Sequence, residues 1–550
     1  MPNLSRRGIL SSTTGLLAGS AAGSVLGFAG AAAATEGNSK EGSTSDSCRE
    51  LGPTIVRPKS GRYSAVDRGT NQRFIGNPEY VVLAGSTEQV VHAVQEAVDH
   101  GRRVQVRSGG HCYEAFVYND DVRVVIDLSL LTQVFYDSDR NAYAVDAGAQ
   151  LLHVYTTLYK GFGVTIPGGS CGSVGAGGHI SGGGYGLLSR LHGLTVDYLD
   201  AVEVVIVDRH GRAKAVVATR DPAGENHDLW WAYTGGGGGT FGIVTRYWFR
   251  HLPEPPSSVI LHASAWNWDA LGERGFTRLL KNWDTWLEDN STPGSAYDGL
   301  FGILKLNKRT SNESQIGLLV QMDASRPNAR QLYERYIEAL NAGLPIEAEM
   351  VTQTQQMGEH PPMPRFAAPT TMPWFLATWE ISGGNPNQSF KNKSAYHRRG
   401  HTDAEVAALY HHLTRTDYTN PSMLAQIDSY GGWINAVPPD RTAVPQRDSI
   451  MKTQFQVYWA PGTPGEEHLR FIRELYRDTF AATGGVPVPN AVTDGCYINY
   501  PDVDLNSPAW NTSGVNWSTL YWKDNYARLQ RAKRAYDPRN VFHHTQSVEL

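Results

Sequence analysis

Arg107-Ser108-Gly109-Gly110-His111 and, sixty residues after that histidine, Cys171-Gly172-Ser173-Val174-Gly175-Ala176-Gly177-Gly178-His179 are the stretches from which the rest of the chain is read. The first continues a β-branched run at 103–106 that predicts a strand. The second lies in a block, 161–186, dominated by glycine. Glycine runs bring backbone N–H groups close to an anion and form nests for phosphates. A single run reads equally well as a tight turn, but two in one region point to a bound dinucleotide. Two familiar motifs fail on context. Gly237-Gly238-Gly239-Thr240-Phe241-Gly242 fits G-x-G-x-x-G, yet 243–248 continues as a strand where a Rossmann site needs a helix. Gly168-Gly169-Ser170-Cys171-Gly172 fits G-x-S-x-G, yet glycines 172, 175, 177 and 178 stand where a nucleophile elbow needs its helix.

Outward from the loops, strand and helix signals alternate. Residues 80–83 predict a strand, and Ser86-Thr87-Glu88 caps a helix with Val90, Val91, Val94, Ala97 and Val98 at helical spacing. Gly101 ends it. Strands are expected at 122–128, 143–147, 202–207 and 243–249, and Pro253, Pro255 and Pro256 mark a linker. Eleven of the 14 tryptophans lie after residue 252, so the second half should have an aromatic-rich core. Helices are expected there at 272–288, 327–341 and 464–481, with strands at 300–305, 315–322, 423–429 and 450–459. The fold class is α+β, with a second domain on a mostly antiparallel sheet flanked by helices.

The 550 residues exceed one compact core, so two domains are expected. A net charge of −5 gives no support to a nucleic-acid partner. Four cysteines, Cys48, Cys112, Cys171 and Cys496, are too few for a disulfide scaffold and lack the spacing of a zinc site; the sequence does not say whether any pair. His397, His401, His411 and His412 have no carboxylate or thiol at metal spacing, so no metal site is expected and these histidines read as surface. Residues 1–34, with Arg6-Arg7 before a Gly/Ala/Leu stretch ending at Ala34, read as a Tat-type export signal; 35–50 read as a flexible leader. Past residue 35 no apolar run approaches the ~20 residues of a membrane span, so no membrane association is expected after signal removal. Oligomeric state is not legible.

With those loops quoted, the chain closely resembles the berberine-bridge-enzyme-like branch of the vanillyl-alcohol-oxidase flavoproteins, in particular its oligosaccharide and antibiotic-tailoring oxidases. The resemblance extends through Asp228-Leu229-Trp230-Trp231-Ala232 to Gly242, Ile243 and Val244, then Lys391-Asn392-Lys393-Ser394, Tyr430-Gly431-Gly432, Tyr497-Ile498-Asn499-Tyr500 and 536–542. It implies a PCMH-type FAD-binding domain over 74–251 (its start within 35–73), a substrate domain over 252–494, and a segment, 495–550, returning to the FAD domain. It further implies FAD linked to His111 and Cys171, with Arg107, Ser108, Gly109, Gly110, Val174, Gly175, Gly178, His179, Tyr497 and Asn499 around it.

The implied chemistry is oxidation of an alcohol or lactol of a carbohydrate or of a glycosylated or polyketide natural product, with O2 reduced to H2O2. Oxidative cyclisation or dehydrogenation in natural-product biosynthesis is the alternative. The resemblance places the base at Tyr500 and a carboxylate that accepts the phenol's proton at Asp428, with Tyr185 over the flavin. A free phenol titrates near 10, so such help is needed at neutral pH. Lys452 and Gln454 share a strand face by period-two alternation and, with Tyr430, resemble substrate-side residues. A valine at 174 is expected to admit dioxygen where a leucine would block it.

Overall fold

The computed structural model describes residues 53–310, 314–383 and 388–550. The expected signal, the leader 35–50 and Cys48 lie outside the described residues. Strands β1 (Thr54–Val56), β2 (Tyr80–Leu83), β3 (Val104–Arg107) and β4 (Val124–Asp127) form a sheet in the order β1-β2-β4-β3, parallel except for β1. The helix Thr87–Asp99 crosses from β2 to β3; Ser86 Oγ caps it by accepting from Gln89 N at 3.3 Å, and Gly101 follows its end at φ +61°. Strands β5 (Val134–Asp137), β6 (Ala142–Asp146), β7 (Leu199–Val207), β8 (Ala213–Thr219) and β9 (Ile243–Phe249) form an antiparallel sheet, β5-β6-β9-β7-β8. Because 243–249 is a strand, the preceding glycines cannot serve a Rossmann helix. The first glycine loop leaves β3, and the second precedes β7, with only a short helix, Ala176–Ser181, inside it.

The second half is one antiparallel sheet of β10 (Ser258–Asn267), β11 (Leu300–Asn307), β12 (Gln315–Asp323), β13 (Val351–Thr352), β14 (Thr370–Pro373), β15 (Ser389–His397), β16 (Met423–Ser429) and β17 (Met451–Trp459). Its order is β13-β10-β12-β11-β16-β17-β15, with β14 beside β10. Antiparallel sheets often leave one face wet. Here every residue of β11, β12, β15, β16 and β17 is buried, so both faces are covered. Odd-numbered Phe455 of β17 packs on Tyr476 and Phe480 at the helix side. Gln426, Asp428, Gln454 and Gln456, even-numbered on β16 and β17, line a cavity.

Of these strands, β10, β13, β14 and β15 were not read from the sequence, and β15 shows why most plainly. Ser389-Phe390-Lys391-Asn392-Lys393-Ser394 has no apolar alternation, yet both lysines are buried. Lys391 Nζ pairs with Glu114 and with Asp502 Oδ1 at 2.7 Å; Lys393 Nζ lies 2.7 Å from Asp502 Oδ2 and 2.8 Å from Asp504 Oδ2. Arg473 closes the cluster on Asp504 at 2.8 Å. The histidine expectation needs a related correction. His397, His401 and His412 are buried, and only His411 is exposed. Each buried ring meets a carboxylate from another element, at 3.3 Å (Glu405), 2.8 Å (Asp284) and 2.9 Å (Asp478), which sequence spacing does not reveal. Most tryptophans are core, but Trp379 and Trp433 are about half exposed.

Replacing Lys391 by methionine strands Glu114 and Asp502 as buried charges with fewer partners. Breaking such a pair costs about 3–5 kcal/mol, so Lys391→Met should lower unfolding stability by that order in chemical denaturation. A loss below about 1 kcal/mol, the size of an exposed pair, would show that the cluster is solvated.

Candidate active site

The two glycine loops interlock. A Cβ on Gly109 would lie 2.9 Å from both Gly175 Cα and Ser173 O, and one on Gly175 would strike Ser108 Oγ and the Gly109 backbone. These glycines are therefore required where chain crosses chain, rather than for approach to an anion as the sequence implied. Ser108 Oγ donates to Ala147 O at 2.6 Å, and Arg107 pairs with Asp127. Gly110, at φ +79°, turns the first loop toward His111. Gly178 differs: a Cβ there meets nothing within 4 Å, leaving free space on the cavity side.

The interlock brings His111 and Cys171 to one hydroxyl. Ser173 Oγ lies 3.0 Å from His111 Nε2 and 3.5 Å from Cys171 Sγ. With Nε2 engaged, His111 Nδ1 is the nitrogen left without a partner among the described residues. Burial and the nearby Arg107 push the His111 imidazole down to about 4, so it is neutral and nucleophilic at physiological pH. The Cys171 thiol donates to Gly383 O at 3.2 Å, and burial followed by Glu359 pushes it up to about 11.

Both residues line a cavity enclosing about 2010 Å³ of non-atom space, its open mouth included. Residues 236–239 and Gly242, Val244 and Val174 also line it. Ile243 does not; it is core. His179 Nε2 accepts from Gly169 N at 3.1 Å, and Asn499 Nδ2 donates to His179 O and to Tyr497 Oη, each at 2.9 Å, holding the short helix against 497–500.

A further part of the wall carries the polar face of β16 and β17. Register sets Asp428 directly across from Lys452 and Gln426 across from Gln454. Lys452 Nζ lies 3.4 Å from Tyr500 Oη and 3.7 Å from Asp428 Oδ2, under the rings of Tyr185, Tyr497 and Tyr500 at 3.8, 4.6 and 4.5 Å. The expected direct bond from Asp428 to the phenol is thus replaced by an intervening ammonium, because the cross-strand neighbour reaches both. Gln426 Nε2 donates to Asp428 Oδ1 at 2.9 Å. Burial pulls Lys452 down to about 8 against the opposing pull of Asp428, raises Asp428, and holds Tyr500 well above 10.

Tyr185 lines the cavity, but its hydroxyl donates to Ser429 O at 2.6 Å. Tyr430 is fully buried behind it, with its hydroxyl on Gln446 O, and does not line the cavity. Its expected substrate role is corrected to packing: a strand-end tyrosine followed by two glycines at positive φ turns inward. Sequence reasoning missed Tyr113, whose ring stacks on Tyr500 at 5.6 Å and whose hydroxyl accepts from Gln454 Nε2 at 3.3 Å. It also missed Glu359 and His360, in a Gly/Pro-rich stretch whose acid–histidine pair was the available signal.

A non-Rossmann, two-loop dinucleotide site facing a tyrosine–lysine–aspartate wall is that of a FAD-binding oxidoreductase, and His111 and Cys171 around one hydroxyl, with the open space at Gly178, fit that group. The family models "FAD binding domain" and "Berberine and berberine like" match residues 78–212 and 496–549. The chain is 45% identical to aclacinomycin-N/aclacinomycin-A oxidase of Streptomyces galilaeus, over 88% of this chain and 87% of that protein. It is 35% identical to hexose oxidase of Chondrus crispus, covering 88% and 93%. A glycopeptide hexose oxidase complexed with teicoplanin matches with TM-score 0.84 and 46% identity, over 91% and 99% of the two chains. The chain belongs to the berberine-bridge-enzyme-like FAD-linked oxidoreductases.

Gly175→Ala tests the interlock. Its Cβ must push the loops apart, so the purified variant should carry less than about a tenth of the wild-type FAD by absorbance, in keeping with the severe cost of overpacking against backbone. Full FAD content would show that the loops separate freely.

Proposed function

We propose that this chain is an exported oxidase that turns a CH–OH carbon of a carbohydrate or glycosylated natural product into a carbonyl, with FAD linked through His111 and Cys171 and dioxygen as final acceptor, giving hydrogen peroxide. The carrying observation is that Tyr500, backed by Lys452 and Asp428, lines the same cavity as His111 and Cys171. Similarity to an aclacinomycin oxidase and a hexose oxidase favours a sugar-bearing substrate. Arg6-Arg7 and the stretch after it support export.

FAD, when bound, supplies the acceptor for the hydride. The protein's part is the proton. Tyr500 Oη takes the substrate hydroxyl proton as its own passes to Lys452 Nζ, 3.4 Å away. A phenol held well above 10 is a poor base alone, so its partner must be able to accept. A lysine near 8 is neutral for a useful fraction of the time at mildly alkaline pH. Three tyrosine faces and Asp428 stabilise the ammonium once formed. Val174, half-buried on the cavity wall, supports access for dioxygen, one methylene smaller than leucine in a wall with few voids.

Tyr500→Phe should slow anaerobic flavin reduction by about 10² to 10⁴, the span for losing a general base; an unchanged rate moves the role elsewhere. Because neutral Lys452 increases with pH, the reduction rate should rise through about pH 8. Asp428→Asn removes the charge that favours the ammonium, so that rise should move to lower pH; a movement upward contradicts the relay. Val174→Leu should slow reoxidation in air while leaving anaerobic reduction near its original rate. Wild-type flavin that stays reduced for many minutes in air would mark a dehydrogenase instead.

A further inference from the structure

We infer that Glu359 and His360 form a substrate subsite that reads two neighbouring hydroxyls of a sugar ring beside the carbon to be oxidised. This rests on the proposed oxidase reading and narrows its substrate to a ring that keeps those hydroxyls.

The two residues sit in a loop that holds them firmly. Met357 N donates to His360 O at 3.2 Å, His360 N returns the bond to Met357 O at 3.3 Å, and Gly358 turns at φ +64°. Gly383 packs on the Glu359 carbonyl so closely that a Cβ there would collide with it, and Gly383 O in turn receives the Cys171 thiol. The Glu359–His360 loop is therefore one backbone contact from the proposed flavin-linking cysteine, and both side chains line the same cavity.

Neither side chain is satisfied by the protein. His360 is 3% exposed, and both its ring nitrogens lack a partner among the described residues. The Glu359 carboxyl makes no hydrogen bond or ion pair there, although Glu114, Asp284, Asp502 and Asp504 are all paired. A buried unsatisfied polar group such as the His360 ring costs about 1–3 kcal/mol and in a native structure calls for a missing partner; the half-buried Glu359 carboxyl faces the same space. Here that partner lies in the cavity.

The donor set selects the ligand. Burial, then Lys305, keeps His360 neutral, with one N–H donor and one acceptor nitrogen. Burial and Asp428 raise Glu359 to about 7, so near neutrality it both donates and accepts. The amides of Gln426, Gln454 and Gln456 line the same cavity. Groups that each donate and accept match hydroxyls, which do the same, and an adjacent pair matches two adjacent residues. A deoxy sugar would leave them unpaired.

The test uses holoenzyme with glucose, galactose and a short β-linked glucan, their 2-deoxy and 2-amino counterparts, and a simple secondary alcohol, scored by peroxide release and anaerobic flavin bleaching. For wild type, KM should rise about 10- to 100-fold when a read hydroxyl is removed, as expected for hydrogen bonds to a polar buried site. Glu359→Ala and His360→Ala should raise KM for the hydroxylated sugar by about that factor, with kcat changed less than about threefold, the signature of lost uniform binding. They should barely alter KM for the deoxy sugar. Should the alanine variants lose flavin, Glu359→Gln and His360→Asn should move KM in the same direction by less. Equal effects on hydroxylated and deoxy sugars would overturn the subsite while leaving the oxidase reading intact. So would a wild-type preference for the amino sugar lost in Glu359→Ala, which would make the site a carboxylate for ammonium. If no sugar bleaches wild-type flavin, the sugar-oxidase reading fails and the subsite with it.

Discussion

Five buried charges and a half-buried arginine set the geometry of this enzyme. Glu114, Asp502 and Asp504 face Lys391, Lys393 and Arg473, and the cluster is neutral overall. Taking such ions out of water costs several kcal/mol each, and only dense mutual pairing offsets it. The arrangement therefore tolerates little displacement. Glu114 lies three residues beyond His111, and Asp502 lies two beyond Tyr500. Through β15 the cluster joins the loop that carries the histidine to the segment that carries the phenol. The spacing between His111 and Tyr500 is thus set by this ion cluster.

On that frame the cavity walls divide the chemistry. One is made by loops that only glycine allows to cross, and it presents His111 and Cys171 on either side of the Ser173 hydroxyl. The other is made by strand register, which puts Lys452 across from Asp428 and under three tyrosine rings. Burial weakens the ammonium while the rings and carboxylate support it, and the balance near 8 leaves a group able to exchange a proton with Tyr500.

Much of this was legible in the sequence where a local rule decides the outcome. Strands β9 and β16 occupy the stretches that alternation picked out, and the helix Thr87–Asp99 starts at the capping serine. The glycine loops were found, although their glycines serve each other before any phosphate. What escaped was set by tertiary partners. Strand β15 reads as polar because its lysines spend their charge on residues more than a hundred positions away. His397, His401 and His412 read as surface because each meets a carboxylate from another element, and Tyr430 points inward through the turn at Gly431-Gly432, whose direction the sequence does not give. Lys452 was placed on the right strand face, but its position between Asp428 and Tyr500 depends on cross-strand register, which a single strand does not specify.

The account stands on His111 and Cys171 meeting one flavin. The most direct measurement is peptide mapping of acid-denatured, protease-digested wild-type protein by mass spectrometry. A single yellow species that joins the peptide containing His111 to the peptide containing Cys171 through one FAD-derived mass is the predicted result. Flavin released entirely into the acid supernatant, or found on one of the two peptides alone, would contradict it.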